Sequence, residues 1–207
     1  HSRIGGDYYD VIPHPTENSF YVAIADVSGK GVSAALIMAS FQATLRSVIR
    51  TDLPFKKFAQ HLNSETFRIT MGEKFITLFV AKVNLEKRRL EYWNAGHNPP
   101  ILKRDDALAI LTDGSTLLGA FPKLPTITLG VEPLGKFNTL FTYTDGLTDL
   151  INDSNERFRL EGLLEFMSSN QFDTPAAFNK ELRQRLEKYK GTKDFDDDIT
   201  FLTTIVQ

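Results

Sequence analysis

Hydrophobic and polar positions along the chain switch between the extended and the helical period. Residues 20–26 are rich in Phe, Tyr, Val and Ile and read as a strand, with Val22, Ile24 and Asp26 on one face. Ser33 then opens a predicted helix to about Arg50, whose Ile37, Phe41, Leu45, Val48 and Ile49 follow helical spacing. A second helix starts near Pro54 and carries Phe55, Phe58, Leu62 and Ile69 on one side. Strand-like runs follow at 75–83 and 90–94, joined by a turn through Glu86, Lys87 and Arg88, and then at 101–102, 107–111, 126–129 and 137–144. Leu160, Leu163, Leu164 and Met167 mark a short amphipathic helix. Thr174-Pro175 supplies an N-cap and a first-turn proline for another, with Phe178, Leu182, Leu186 and Tyr189 on its face. Residues 199–206 close the chain as a strand.

Strands outnumber helices and short turns join most of them, which points to antiparallel sheets rather than alternating βαβ units. The predicted class is α+β, two sheets with helices outside. The 207 residues suit one domain, 1–207, and no linker, repeat or low-complexity tract divides them. The chain begins abruptly: His1-Ser2 reads as a tag remnant and the following residues as the middle of a domain, so an excised piece of a longer protein is expected.

Charge and composition narrow the function. Lys and Arg number 24 against 26 Asp and Glu, a formal charge of −2, which gives no basic stripe for nucleic acid. No apolar run is read as long enough to span a bilayer and no signal peptide is seen, so no membrane contact is expected of this domain. There is no cysteine, which removes disulfides, thiolate metal sites and every cysteine nucleophile, and fits a reducing, cytoplasmic setting.

The candidate chemistry is acidic. Asp26 ends one apolar strand, Asp145 ends another and is followed by Gly146, and Asp197 and Asp198 precede a third; Asp7 follows Gly5-Gly6, with Asp10 three residues on. Carboxylates at strand ends are fixed by the sheet yet reach open space, and several together make an all-oxygen site for Mg²⁺ or Mn²⁺. Neighbouring glycines let the backbone approach and lend a carbonyl. Taken singly, each Asp-Gly pair also reads as a plain turn. Asp149, Asp194 and Asp196 read as solvated surface carboxylates. Ser28-Gly29-Lys30-Gly31 is not a P-loop, because the spacing of glycine and hydroxyl is wrong, and the aspartates at 194, 196 and 198 lack the glycine of an EF-hand loop.

Six segments in order, IGGDYYD (4–10), ADVSGKGVSAALIMA (25–39), FITLFVAKV (75–83), NAGHNPP (94–100), YTDGLTD (143–149) and DDIT (197–200), resemble the protein phosphatase 2C-like (PPM) superfamily. The closer resemblance is to its bacterial branch, typified by the stage II sporulation phosphatase E and the sigma-B regulator phosphatases. The resemblance implies two antiparallel β-sheets packed as a sandwich with helices on the outer faces, and two metal ions. It implies dephosphorylation of phosphoserine or phosphothreonine on an anti-sigma-factor antagonist-like protein, and an upstream sensor domain through which the full-length protein could be membrane-tethered. Carried over, Asp26 would bridge the metals, the Val27 carbonyl would complete one shell, Asp145 and Asp197 would ligate the other ion, and Asp7 would hold metal-bound water. Asp198 and Gly146 would support these ligands. Two such metals can activate water and clamp phosphoryl oxygens, with no covalent intermediate on the protein.

The chain departs from other branches of the superfamily in places. Ser28 stands near the position of a histidine proton donor, which leaves the general acid unassigned. Arg3 reads either as a phosphate ligand or as a frayed terminal residue. His97 reads either as a turn histidine capped by Pro99-Pro100 or as part of the site's rim. A catalytically dead binding module would have lost a ligand aspartate, and all are present; a two-metal nuclease conflicts with the near-neutral charge.

Overall fold

The structure, a computed structural model, describes residues 5–51, 53–195 and 197–207; Arg3 and Asp196 lie outside them. Two compact units emerge, one from the residues up to Pro99 together with Leu111–Pro133, the other from Pro100–Ile110 and Leu134–Gln207. Each has its own sheet and helices.

In the first unit, the apolar run around Val22 extends as β2 (Ser19–Val27) and pairs antiparallel with β1 (Tyr8–Pro13) and β3 (Ile76–Asn84). β4 (Arg89–Ala95) follows β3 through the predicted turn. β7 (Gly114–Ser115) and β8 (Gly130–Pro133) both pair with β4, β7 in parallel, so the sheet is antiparallel apart from that two-residue contact. The pattern does not announce β1 because both faces are mixed: Tyr9 and Val11 are exposed, while Asp10 is buried on the inward face between Tyr8 and Ile12. Residues 126–129, predicted as a strand, form none. Ile127 and Leu129 reach the core without a ladder, and pairing begins only at Gly130 opposite Tyr92.

Helices α1 (Val32–Ile49) and α2 (Phe55–Thr70) pack on one face of this sheet. Gly31, not Ser33, is the N-cap of α1, and no side chain caps it. Phe41 and Leu45 of α1 and Phe58 and Leu62 of α2 meet Ala23, Ala25, Leu78, Val80 and Trp93. Each large side chain so buried contributes roughly 1.5–3 kcal/mol of transfer free energy. Val22 and Ile24, on the other face of β2, are also fully buried, so both faces of that strand are covered. Contrary to the sequence reading, α1 has the length and apolar composition of a membrane span. Its Ala34, Met38, Phe41, Leu45, Val48 and Ile49 lie buried in the core, while Val32 and Leu36 are exposed.

In the second unit, β5 (Ile101–Arg104), β6 (Ala107–Ile110), β9 (Asn138–Tyr143) and β10 (Phe201–Val206) form an antiparallel sheet in the order β10-β9-β5-β6. Against it lie α4 (Arg159–Ser169) and α5 (Pro175–Lys190), as the apolar spacing predicts. Phe141, Phe166, Phe172 and Phe178 form a ring cluster with centroids 5.1–5.7 Å apart. Thr174 caps α5 by accepting from the Ala177 N–H at 3.2 Å. Lys103 is buried, and its ammonium donates to the Met167 and Asn170 carbonyls at the end of α4, both at 2.8 Å. A short helix that the sequence does not signal, α3 (Asp145–Thr148), follows β9 directly.

Candidate active site

The first unit brings Asp7, Asp26 and Val27 together. The Val27 N–H donates to the Gly6 carbonyl at 3.3 Å, continuing the β1–β2 register two pairs beyond β1. That register sets Asp7 opposite Asp26, in a pair without hydrogen bonds of its own, where facing side chains of an antiparallel ladder come closest. Gly6 permits the approach. A side-chain carbon there would lie 2.8 Å from the Val27 carbonyl oxygen and 3.3 Å from Asp26 Oδ1. Two like charges directly opposite one another destabilise a sheet unless something offsets them. A cation between them does so, and the donors at hand are carboxylate and carbonyl oxygens, which suit Mg²⁺ or Mn²⁺.

Asp26 also has a neighbour on its other side. In the β2–β3 register it faces Thr77, whose Oγ1 lies 3.5 Å from the Asp26 carbonyl oxygen and 2.9 Å from His97 Nδ1. A polar row therefore crosses the end of the sheet: Asp7, Asp26, Thr77, then His97. Thr77 is a single hydroxyl in an otherwise apolar run, and only the strand register reveals its place beside Asp26. Ser28, next along β2, has both its groups tied to Phe75: its N–H donates to the Phe75 carbonyl at 2.9 Å, and its Oγ accepts from the Phe75 N–H at 3.0 Å.

The second unit holds Asp145, Gly146, Asp197 and Asp198. β9 ends at Tyr143, and the Thr144 N–H donates to the Thr200 carbonyl at 2.9 Å, tying the two segments side by side. Asp145, the first residue of α3, and both Asp197 and Asp198 are exposed. Gly146 presses on the backbone of Asp198, whose carbonyl a side-chain carbon there would strike, and that carbon would lie 3.5 Å from Asp197 Cβ. The Asp198 N–H donates to Asp197 Oδ1 at 2.9 Å, which orients that carboxylate.

Among the described residues no group of three His, Asp or Glu side chains is gathered at metal-binding distance. Each unit offers a carboxylate pair with backbone carbonyls nearby. Mg²⁺ is commonly held through one or two carboxylates with water completing the octahedron, so these donor sets fit such an ion.

Two other aspartates have structural partners. Asp10 is buried, accepts from Tyr8 Oη at 2.6 Å, and receives both Arg46 Nε at 2.6 Å and Arg46 Nη2 at 3.0 Å, a forked pair joining β1 to α1. Asp149 pairs with Arg157 Nη1 at 3.0 Å on the surface.

The fold is that of PP2C-type phosphatase domains. It resembles the SiaA-PP2C domain of Pseudomonas aeruginosa with a TM-score of 0.82 at 18% identity, covering 99% of this chain and 82% of that one. It resembles the PP2C phosphatase domain and regulatory fragment of SpoIIE from Bacillus subtilis with a TM-score of 0.83 at 17% identity, covering 98% and 57%. The family model of stage II sporulation protein E matches residues 16–207, and the chain belongs to that family. Among its relatives, phosphoserine phosphatase RsbU of Bacillus subtilis is 28% identical over 79% of the chain, and phosphoserine phosphatase RsbP of the same organism 30% identical over 72%. The chain spans 49% of the length of RsbU and 38% of that of RsbP.

Proposed function

We propose that this chain is the catalytic domain, residues 1–207, of a metal-dependent phosphatase that hydrolyses phosphoserine or phosphothreonine on a protein, using two Mn²⁺ or Mg²⁺ ions. The observation that carries the reading is the facing pair Asp7 and Asp26 with the Val27 carbonyl beside them, hard oxygen donors gathered at the end of one sheet. In this reading the first unit supplies Asp7, Asp26 and the Val27 carbonyl as ligands, and the second supplies Asp145 and Asp197. Asp198 orients Asp197 through its N–H, and Gly146 admits the Asp198 backbone. Ser28 fixes the end of β2 against Phe75. Bound ions would lower the pKa of water and offset charge on the phosphoryl group. No side-chain nucleophile is required, consistent with a chain lacking cysteine.

The substrate in this proposal is a phosphoprotein resembling an anti-sigma-factor antagonist; two relatives named phosphoserine phosphatases support its phosphoserine, and the likeness to such an antagonist rests on the resemblance of the six segments to the bacterial branch. An upstream sensor domain is proposed because the chain spans half or less of those relatives. The domain would act in the cytoplasm, binding neither nucleic acid nor membrane, whether or not the full-length protein is membrane-tethered. The test is hydrolysis of a phosphoserine peptide and of an aryl phosphate by the purified chain, with Mn²⁺, with Mg²⁺ and in excess chelator. Activity should require the ion and fall roughly hundredfold or more in Asp26→Ala, since even outer-shell partners of a metal are worth 10–100-fold. Full activity in chelator, or unchanged activity in Asp26→Ala, would sink the proposal.

A further inference from the structure

The NAGH segment is a delivery device for a histidine. Asn94 is buried, donates through Nδ2 to the Leu111 carbonyl at 3.3 Å, and accepts the His97 N–H at Oδ1 at 2.7 Å, closing a tight turn. Gly96 within that turn has φ of 65°, which favours glycine, and a side-chain carbon there would sit tightly, 3.1 Å from the Leu117 nitrogen. The β3–β4 register pairs Leu78 with Ala95, so the next step past it brings Gly96 beside Thr77. His97 emerges 5% exposed, with Nδ1 on the Thr77 hydroxyl at 2.9 Å. Thr77 in turn faces Asp26.

We propose that His97 is a positioning residue for Asp26 and acts through Thr77, an inference that rests on the metal-dependent reading of the Asp26 site. Facing positions in a sheet project to the same side with Cβ atoms about 5 Å apart, so the Thr77 side chain borders the Asp26 carboxylate. A free threonine hydroxyl would rotate among three wells. The bond to His97 selects one of them and so defines the wall against which Asp26 is held. A turn built only to end β4 would not need a buried histidine aimed at a hydroxyl two strands from β1; a device for holding one carboxylate would. The role is that of outer-shell partners in metal sites, whose loss lowers metal affinity while leaving the ligands in place.

The experiment measures Mn²⁺ affinity by electron paramagnetic resonance alongside melting of the chelator-treated protein. Thr77→Val keeps shape and removes the hydroxyl. It should weaken Mn²⁺ binding about tenfold while the metal-free melting temperature moves by no more than a few degrees. Thr77→Ser, which keeps the hydroxyl, and His97→Asn, whose amide can stand in for Nδ1, should each stay within about threefold of the parent. His97→Leu should weaken binding as Thr77→Val does, and the double variant Thr77→Val with His97→Leu should be no worse than either alone, because the two act along one path. Unchanged Mn²⁺ affinity in Thr77→Val overturns the inference; so does a loss matched by metal-free destabilisation, or additive losses in the double variant. A parent chain that binds Mn²⁺ but hydrolyses no phosphoester would overturn the proposed function and leave this assignment standing.

Discussion

Asp7 and Asp10 are three residues apart and do opposite things. Asp7 stands opposite Asp26 at the end of the sheet, whereas Asp10 holds α1 to β1 through Arg46 and Tyr8. Burial pushes the Asp10 carboxyl up, but the hydrogen bonds from Arg46 and Tyr8 and the charge of Arg46 outweigh it and hold it below the ordinary 3.8. A carboxyl whose folded pKa is depressed adds stability that is complete above its unfolded pKa and lost as pH falls through the folded one. Thermal stability of the parent should therefore drop more steeply below about pH 4 than that of Asp10→Asn, in melting curves compared across pH. At neutral pH, Asp10→Ala leaves the buried Tyr8 hydroxyl without its acceptor and should cost about 1–3 kcal/mol in urea unfolding. Mn²⁺ affinity in that variant should hold, because Asp10 is not among the proposed ligands; a tenfold loss would place it in the site. From sequence, Asp10 could be listed only as one more acid, since its partner Arg46 is thirty-six positions away. Asp7, Asp26, Asp145 and Asp197 stood out because each adjoins a glycine or an apolar strand. Thr77 did not, because facing positions across a sheet are a property of register and not of spacing.

At the level of elements, the end of β2 is held by its neighbour β3 rather than by the helix that follows. Ser28 exchanges two bonds with Phe75, and α1 begins beyond it at an uncapped glycine. Since the Ser28 Oγ is engaged as a backbone acceptor, its role is to anchor the strand that carries Asp26. Ser28→Ala should thus cost on the order of 1 kcal/mol of stability and lower kcat modestly, with the shape of the pH–rate profile unchanged. A loss of kcat far beyond the loss of stability would instead give Ser28 a part in the chemistry. The same local logic explains which elements were legible. α1, α2, α4 and α5 carry apolar residues at helical spacing over several turns and appear where that spacing puts them. β1 hides because a charged residue, Asp10, is buried beside Tyr8 while Tyr9 and Val11 are exposed. Residues 126–129 mislead because apolar residues can fill a core without joining a ladder. α3 is a single turn, too short for a period to show.

For the whole molecule, metal and stability should be coupled. Each unit has its own apolar core, so folding does not wait for an ion. The carboxylates of Asp7 and Asp26 nevertheless stand at one end of the first sheet, where an ion would add to that stability. An ion that binds only the folded chain adds RT ln(1 + [ion]/Kd), about 2.7 kcal/mol at a hundredfold excess over Kd. For a chain of this size each kcal/mol moves the midpoint by roughly 2–4 °C, so saturating Mn²⁺ should raise it by about 5–11 °C. Asp26→Asn should abolish that increment. Calorimetric scans of both proteins with chelator and with Mn²⁺ separate that increment from any change in the metal-free midpoint, because the ion's contribution is the difference between the two scans of each protein. A variant that keeps the whole increment would mean that the ion is held elsewhere, and Asp26 would then no longer be one of its ligands.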